Sequence, residues 1–242
     1  MDFQGDAVNE MRVTVALGEA PTHVLNFVLE SEMARPSAAG SSPRVAIIIE
    51  EAEADLKASR ELLSLPGPFT FSVASAEMAR EIYQKGHEVL LRLPLESLGT
   101  TKEETQEKLR AALRAVPNVK GVSAPLSSTF VEDPARTVLI LKEIKEAGLY
   151  FIERGQTRES VAYFLARSLG VKAAERNVIL DSMKEREAMY QQLVKLSHLA
   201  LKEGWATAVV RPNPVTASLL KDNIPRLKER GFELVPLSRV AK

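Results

Sequence analysis

The stretch VAIIIEE, Val45 to Glu51, ends an apolar run on two adjacent carboxylates, Glu50 and Glu51. In a parallel α/β fold, the residues just past the carboxyl end of a buried strand are where ligands meet chemistry. Further polar groups stand in equivalent places after later apolar runs: Arg92 and Glu96 in RLPLES, Ser123, Ser127 and Ser128 in SAPLSS, Glu153, Arg154 and Gln156 in ERGQT, Arg211 and Asn213 in RPNPVT. Glu50, Glu51 and Glu153 could give oxygen ligands to magnesium or calcium. A catalytic zinc draws three ligands from His, Asp, Glu or Cys, and only carboxylates are offered here. Two carboxylates could also divide the acid and nucleophile roles of glycoside hydrolysis. Against these stands direct pairing of the arginines with the glutamates, because guanidinium and carboxylate match through two bonds at once.

Other chemistries lack their parts. Ser127 and Ser128 have no histidine in these loops to activate them, and there is no G-x-S-x-G elbow. No glycine-rich phosphate loop occurs. Cysteine is absent, which removes disulfides and thiolate catalysis. Lys plus Arg equals Asp plus Glu at 32 each, so no net field calls for nucleic acid. The histidines are His23, His87 and His198. His87, in QKGHEV between a helix end and a strand, falls at the end of the fold opposite the acid pair and is expected to be structural. The amino terminus has acidic residues where an export signal needs basic ones, and no apolar run nears the ~18 residues of a membrane span.

The elements that must position these groups follow from periodicity. Apolar runs VAIII, FTFSV, EVLLR, KGV, LYFI and ATAVV alternate with amphipathic segments near 53–64, 75–85, 102–115, 134–147, 158–169, 184–203 and 215–230. Strand and helix repeated so often predict a parallel sheet with helices outside, closed or doubly wound. Gly86, Gly148, Gly170, Gly204 and Gly231 each follow a helical pattern, as C-terminal caps do, and Ser75, Thr101, Asp133 and Thr216 are placed to cap amino ends. Residues 11–30 read as a hairpin or as a strand and short helix. ARPSAAGSSP has linker composition.

The order of motifs resembles the divergent polysaccharide deacetylases, a branch of the polysaccharide deacetylase superfamily. VAIIIEE stands where that family has a strand ending in Asp-Asp. GHEVLLRLPLES, VPNVKGVSAPLSS, GLYFIERGQTRESVA, RNVILD and AVVRPNPVT follow in the family's order from about Arg44 to Leu237. The resemblance implies a distorted (β/α) barrel and a metal-dependent hydrolase that removes acetyl groups from carbohydrates. At the positions that carry this chemistry the sequence departs from the pattern. Glu50 and Glu51 replace the aspartates, while Arg92, Pro125 and Arg211 replace the motif histidines, and Glu153 stands at another motif aspartate.

The expectation is therefore an α/β chain with a strand-rich extension over 1–34, a linker over 35–43 and a polysaccharide-deacetylase-like barrel over 44–242. The barrel is read as having lost its metal reaction, with arginine charge in place of metal charge, and as binding a glycan, a peptidoglycan-type ligand or a partner in the old cleft. Glu50, Glu51 and Glu153 mark the catalytic positions, with Arg92, Glu96, Ser127, Ser128, Asp181, Arg211 and Asn213 around the ligand. Arg92 and Arg211 are expected to converge on Glu50–Glu51. No cofactor is expected. The competing reading is an active deacetylase or related hydrolase of amide or ester bonds with a divalent metal at Glu50 and Glu51, and a third is a metal-free glycosidase pair. The resemblance points to the cell envelope, although the chain shows no export signal. The sequence leaves the oligomeric state open.

Overall fold

A computed structural model describes residues 10–17, 20–28, 33–36, 42–93, 98, 101–124, 134–153 and 161–242. The amino-terminal part is an antiparallel hairpin of β1 (Glu10–Leu17) and β2 (Ala20–Val28), with a bulge between Val15 and Ala16. It resolves the hairpin-or-helix alternative in favour of two strands. Before the barrel, Met33 and Ala34 are buried, and the Ala34 N–H donates to Ser197 Oγ at 2.8 Å.

From there strand and helix alternate: β3 (Arg44–Ile49), α1 (Leu56–Leu63), β4 (Thr70–Val73), α2 (Ala76–Gln84), β5 (Glu88–Arg92), α3 (Lys102–Ala115), β6 (Val119–Ala124), α4 (Pro134–Glu146), β7 (Tyr150–Glu153) and α5 (Val161–Ser168). The short β8 (Ala173–Ala174) and β9 (Val178–Ile179) precede α6 (Arg186–Glu203), β10 (Trp205–Val210), α7 (Pro214–Glu229), β11 (Glu233–Leu234) and a 3-10 turn at Leu237–Arg239. The strands run in the order β8-β7-β6-β5-β4-β3-β10-β9, all pairs parallel. β11 pairs with β3 at Arg44 and Val45, while β4 pairs at Ile48 and Ile49. The sheet curls into a half-barrel with helices against it.

The unbroken apolar run of β3 follows from burial on both faces. Val45, Ile47 and Ile49 pack in one core with helix residues such as Leu62, Ile82 and Leu193. Ala46 and Ile48 pack in the other with Leu90, Tyr150, Ile152, Val209, Leu237 and Val240. At the amino-terminal ends of the strands, the chain end fills the half-barrel. Leu237 N–H donates to Thr70 Oγ1 at 2.9 Å, Ser238 N–H donates to Glu88 Oε1 at 3.1 Å, and Lys242 exchanges backbone bonds with Ala173. Thr70 Oγ1 and the Tyr150 hydroxyl also donate to Glu88 Oε1, at 3.0 and 2.9 Å. Gly121 makes room for this tyrosine, since a Cβ there would stand 2.5 Å from its ring. His87 is buried at the same end. Its Nδ1 accepts from Phe69 N–H at 3.2 Å and its Nε2 donates to Leu63 O at 3.0 Å. Burial lowers its pKa below the ordinary value.

Local signals placed most helix ends. Ser75 caps α2 and Thr101 caps α3 with a Glu104 capping box. Gly204 closes α6 at φ 77°, a conformation that costs glycine nothing. The cap of α7 is a correction. Asn213 is the N-cap and Thr216 the third helical residue, because Pro214 has no N–H and suits the first turn. α1 begins at Leu56 under Asp55, later than the pattern at 53 predicts. Asp133 lies outside the described residues.

Candidate ligand-binding cleft

Glu50 and Glu51 are not the acidic first turn of the following helix. Glu50 N–H bonds to Val210 O of β10, and Ala52 N–H bonds to Ser72 O of β4, so the chain passes from one neighbouring strand to the other at Glu51. Glu51 makes that turn at φ 54°, a left-handed conformation that costs a residue with a side chain about 1 kcal/mol and collects at functional sites. Glu50 is itself buried, 7% exposed.

The sheet ends at β8 on one side and β9 on the other. The three residues between them, Glu175 to Asn177, span the seam. Thr207 of β10 fastens this crossing. Its N–H donates to Asn177 Oδ1 at 2.8 Å, its hydroxyl donates to Glu175 O, and Asn177 N–H donates back to Thr207 Oγ1. The crossing carries Arg176 to Glu50, Nη1 to Oε1 at 3.4 Å, with both side chains at least nine-tenths buried. Beyond β9, Asp181 accepts from Arg211 Nε at 2.8 Å. That bond, with Glu51 and Glu50 acting at longer range, raises the pKa of the Arg211 guanidinium.

Arg92 ends β5, opposite Ser123 of β6 in register. Among the described residues the acid nearest it is Glu53, 3.9 Å from Nη2. Glu53 uses its other oxygen on the Ala74 and Ser75 N–H groups at the start of α2, at 2.6 and 2.9 Å. The arginines therefore do not close on the Glu50–Glu51 pair as expected. Arg211 is bonded to Asp181, Arg92 faces Glu53, and an arginine on Glu50 is Arg176.

Of the other sequence-chosen residues, Asn213 lies at the same end, but its Oδ1 takes the Val215 and Thr216 N–H groups as a helix cap. Glu153 closes β7 opposite Ala124. Glu96, Ser127 and Ser128 lie outside the described residues. Sequence reasoning missed Glu53, Ser72 and Arg176. For Arg176 a signal was present, since it is the first residue of RNVILD. For Ser72 there was none, because a serine inside FTFSV does not reveal which face of the strand it occupies.

Residues 47–241 match the family described as divergent polysaccharide deacetylase, and the chain belongs to that family. Among its relatives, an uncharacterised protein of Haemophilus influenzae is 23% identical over 223 residues, 85% of this chain and 80% of that one. Among solved structures, an uncharacterised protein of Agrobacterium tumefaciens superposes with a TM-score of 0.75 at 20% identity, over 86% of this chain and 93% of that one. A CE4 family pseudoenzyme of Bacillus anthracis superposes with a TM-score of 0.50 at 15% identity, over 82% and 65%. These two share the fold.

Among the described residues, the groups at the strand ends do not fit the divalent metal that the deacetylase fold implies. Arginine has no lone pair to give and stays protonated, yet it stands at two motif-histidine positions, Arg92 and Arg211. Among the described residues no three of His, Cys, Asp and Glu gather as a metal's ligands would. Glu50 meets a buried guanidinium instead.

Proposed function

We propose that this chain is a polysaccharide-deacetylase-fold domain without the metal-dependent reaction, which binds a glycan in the cleft at the carboxyl ends of its strands. The observation that carries this reading is the Arg176–Glu50 pair: a fixed positive charge, buried, sits on the first acid of the motif. A cation brought beside it would meet repulsion rather than a free carboxylate. On the other side of β10, Arg211, itself largely exposed, covers Asp181 in the same way. That a relative in fold is a CE4 family pseudoenzyme supports the same reading. Family membership supports a carbohydrate as the ligand class, with peptidoglycan-type glycans included.

The test is elemental analysis of the purified protein, with an acetate-release assay on N- and O-acetylated sugars in added zinc, manganese or magnesium. Calorimetry with chitotetraose and soluble peptidoglycan fragments completes it. Glycan binding without stoichiometric metal or acetate release is the expected result. Metal-dependent turnover would show that the site remains an active hydrolase.

A further inference from the structure

We infer that the Arg92 end of the cleft is a carboxylate subsite, so that the glycan it takes is an acidic one. This rests on the glycan reading above and adds the chemistry of the ligand. Three adjacent strands each bring a polar side chain towards this end: Ser72 from β4, Arg92 from β5 and Ser123 from β6. Ser72 and Ser123 are completely buried, and neither hydroxyl has a hydrogen-bond partner in the protein; nor does Arg92 Nε. Buried polar groups are nearly always partnered, so three such atoms on neighbouring strands require an explanation.

The charges at the mouth say what kind of group would satisfy them. Arg176 and Arg211 are occupied by Glu50 and Asp181. Arg92 is different. Its nearest acid among the described residues, Glu53, forms an ion pair with it at 3.9 Å without a hydrogen bond: Glu53 Oε1 takes the two N–H groups at the start of α2, and Oε2, buried, faces the guanidinium. No hydrogen bond from the guanidinium reaches a described residue, while about a third of the side chain is exposed, so a ligand can meet it. A guanidinium offers five donors in a plane and no acceptor, and the group that matches it through two bonds is a carboxylate. A hydroxyl-only sugar would leave the guanidinium with the 3.9 Å contact to Glu53 and no charge-assisted hydrogen bond. The carboxylate can belong to the sugar ring, as in a hexuronic acid, or to an ether substituent, as in a muramic acid.

The experiment is calorimetry of the full chain with tetragalacturonic acid, with its methyl ester, with N-acetylmuramic acid and with neutral chitotetraose. The wild-type chain should bind an acid about ten-fold or more tighter than the neutral probes, the scale of a charge-assisted hydrogen bond. The galacturonate and muramate arms show which source of carboxylate is preferred. Arg92→Gln should abolish the preference for acid over ester, and Arg92→Lys, which keeps the charge but not the fork, should restore part of it. Equal affinity for acid and ester in the wild-type chain overturns the subsite while leaving the glycan reading intact, and needs no variant to fold. Failure of all four probes to bind overturns both.

Discussion

The two ends of the half-barrel treat buried polar groups in opposite ways. At the floor, Glu88 collects the Thr70 and Tyr150 hydroxyls and the Ser238 N–H, Leu237 N–H bonds to Thr70, and both ring nitrogens of His87 are used. At the mouth, Arg176 and Arg211 are hydrogen-bonded to acids, Arg92 stands 3.9 Å from Glu53 without a hydrogen bond, two buried serine hydroxyls lack partners and Glu51 holds a strained backbone. A saturated network holds a fold in one arrangement. Unsatisfied groups and strain lower stability and persist where something other than stability is being served. The floor therefore fixes the chain end into the barrel, and the mouth is the end at which the proposed ligand would be met.

The largest effect tests whether the paired part of the mouth is structural. Arg176→Met leaves Glu50 buried without that cation and should destabilise the protein by about 3–5 kcal/mol, read by urea unfolding at pH 7. Adding Glu50→Gln should recover a large part of the loss. If the single variant were as stable as the wild type, the buried pair would not be what holds the seam. Next comes the floor. Glu88→Ala strands the Tyr150 hydroxyl, the Thr70 hydroxyl and the Ser238 N–H, and should cost about 3 kcal/mol. Glu88→Gln keeps an acceptor and should cost less. Neither floor variant should alter the preference among glycans. A changed preference would break the division between the ends.

How much of this was legible in the sequence depends on whether the signal was local. Alternating apolar and amphipathic stretches gave the strand and helix series because each element carries its own period, and Ser75 or Thr101 caps a helix that starts beside it. β8 and β9 were invisible as strands: two residues cannot show a period. The acid pair was legible from its place after VAIII. Its partner was not, since Arg176 lies 126 residues away and reaches Glu50 only because the sheet stays open and the chain crosses the seam. Arg92 and Arg211 were correctly placed at strand ends, but which acid each would meet depends on side chains from other strands. His87 was placed from its neighbours alone, between Gly86 and β5.

A smaller effect follows from His87. Its folded pKa lies below the ordinary value of 6.5 because burial disfavours the imidazolium, whose added proton would also oppose the Phe69 N–H. Between that lowered value and 6.5 the unfolded chain binds a proton that the folded chain refuses, so stability must fall as pH drops through this window. The slope is at most about 1.4 kcal/mol per pH unit. Glu143, whose pKa is lowered by Arg110, contributes its own loss only below about 4.5, so the two are separable. Urea unfolding between pH 7 and 5 should show the decline in the wild type and not in His87→Gln. A His87 imidazole titrating at 6.5 or above by NMR would contradict it.

The smallest expected change in stability is at Arg92, and it bears most directly on the contrast between the two ends. A partly buried guanidinium with no hydrogen-bonded acceptor contributes little to the fold, and its aliphatic stem can be replaced by methionine with its packing retained. Arg92→Met removes only a 3.9 Å ion pair to Glu53 and should therefore lie within about 1 kcal/mol of the wild type, where Arg176→Met loses several times that. The same variant should lose the preference for acidic glycans. Two arginines at one end of one sheet would then differ because one is buried against its acid within the protein and the other, only loosely paired with Glu53, takes a hydrogen-bonded acid from the ligand. A large loss of stability in Arg92→Met would instead place Arg92 with the structural pairs.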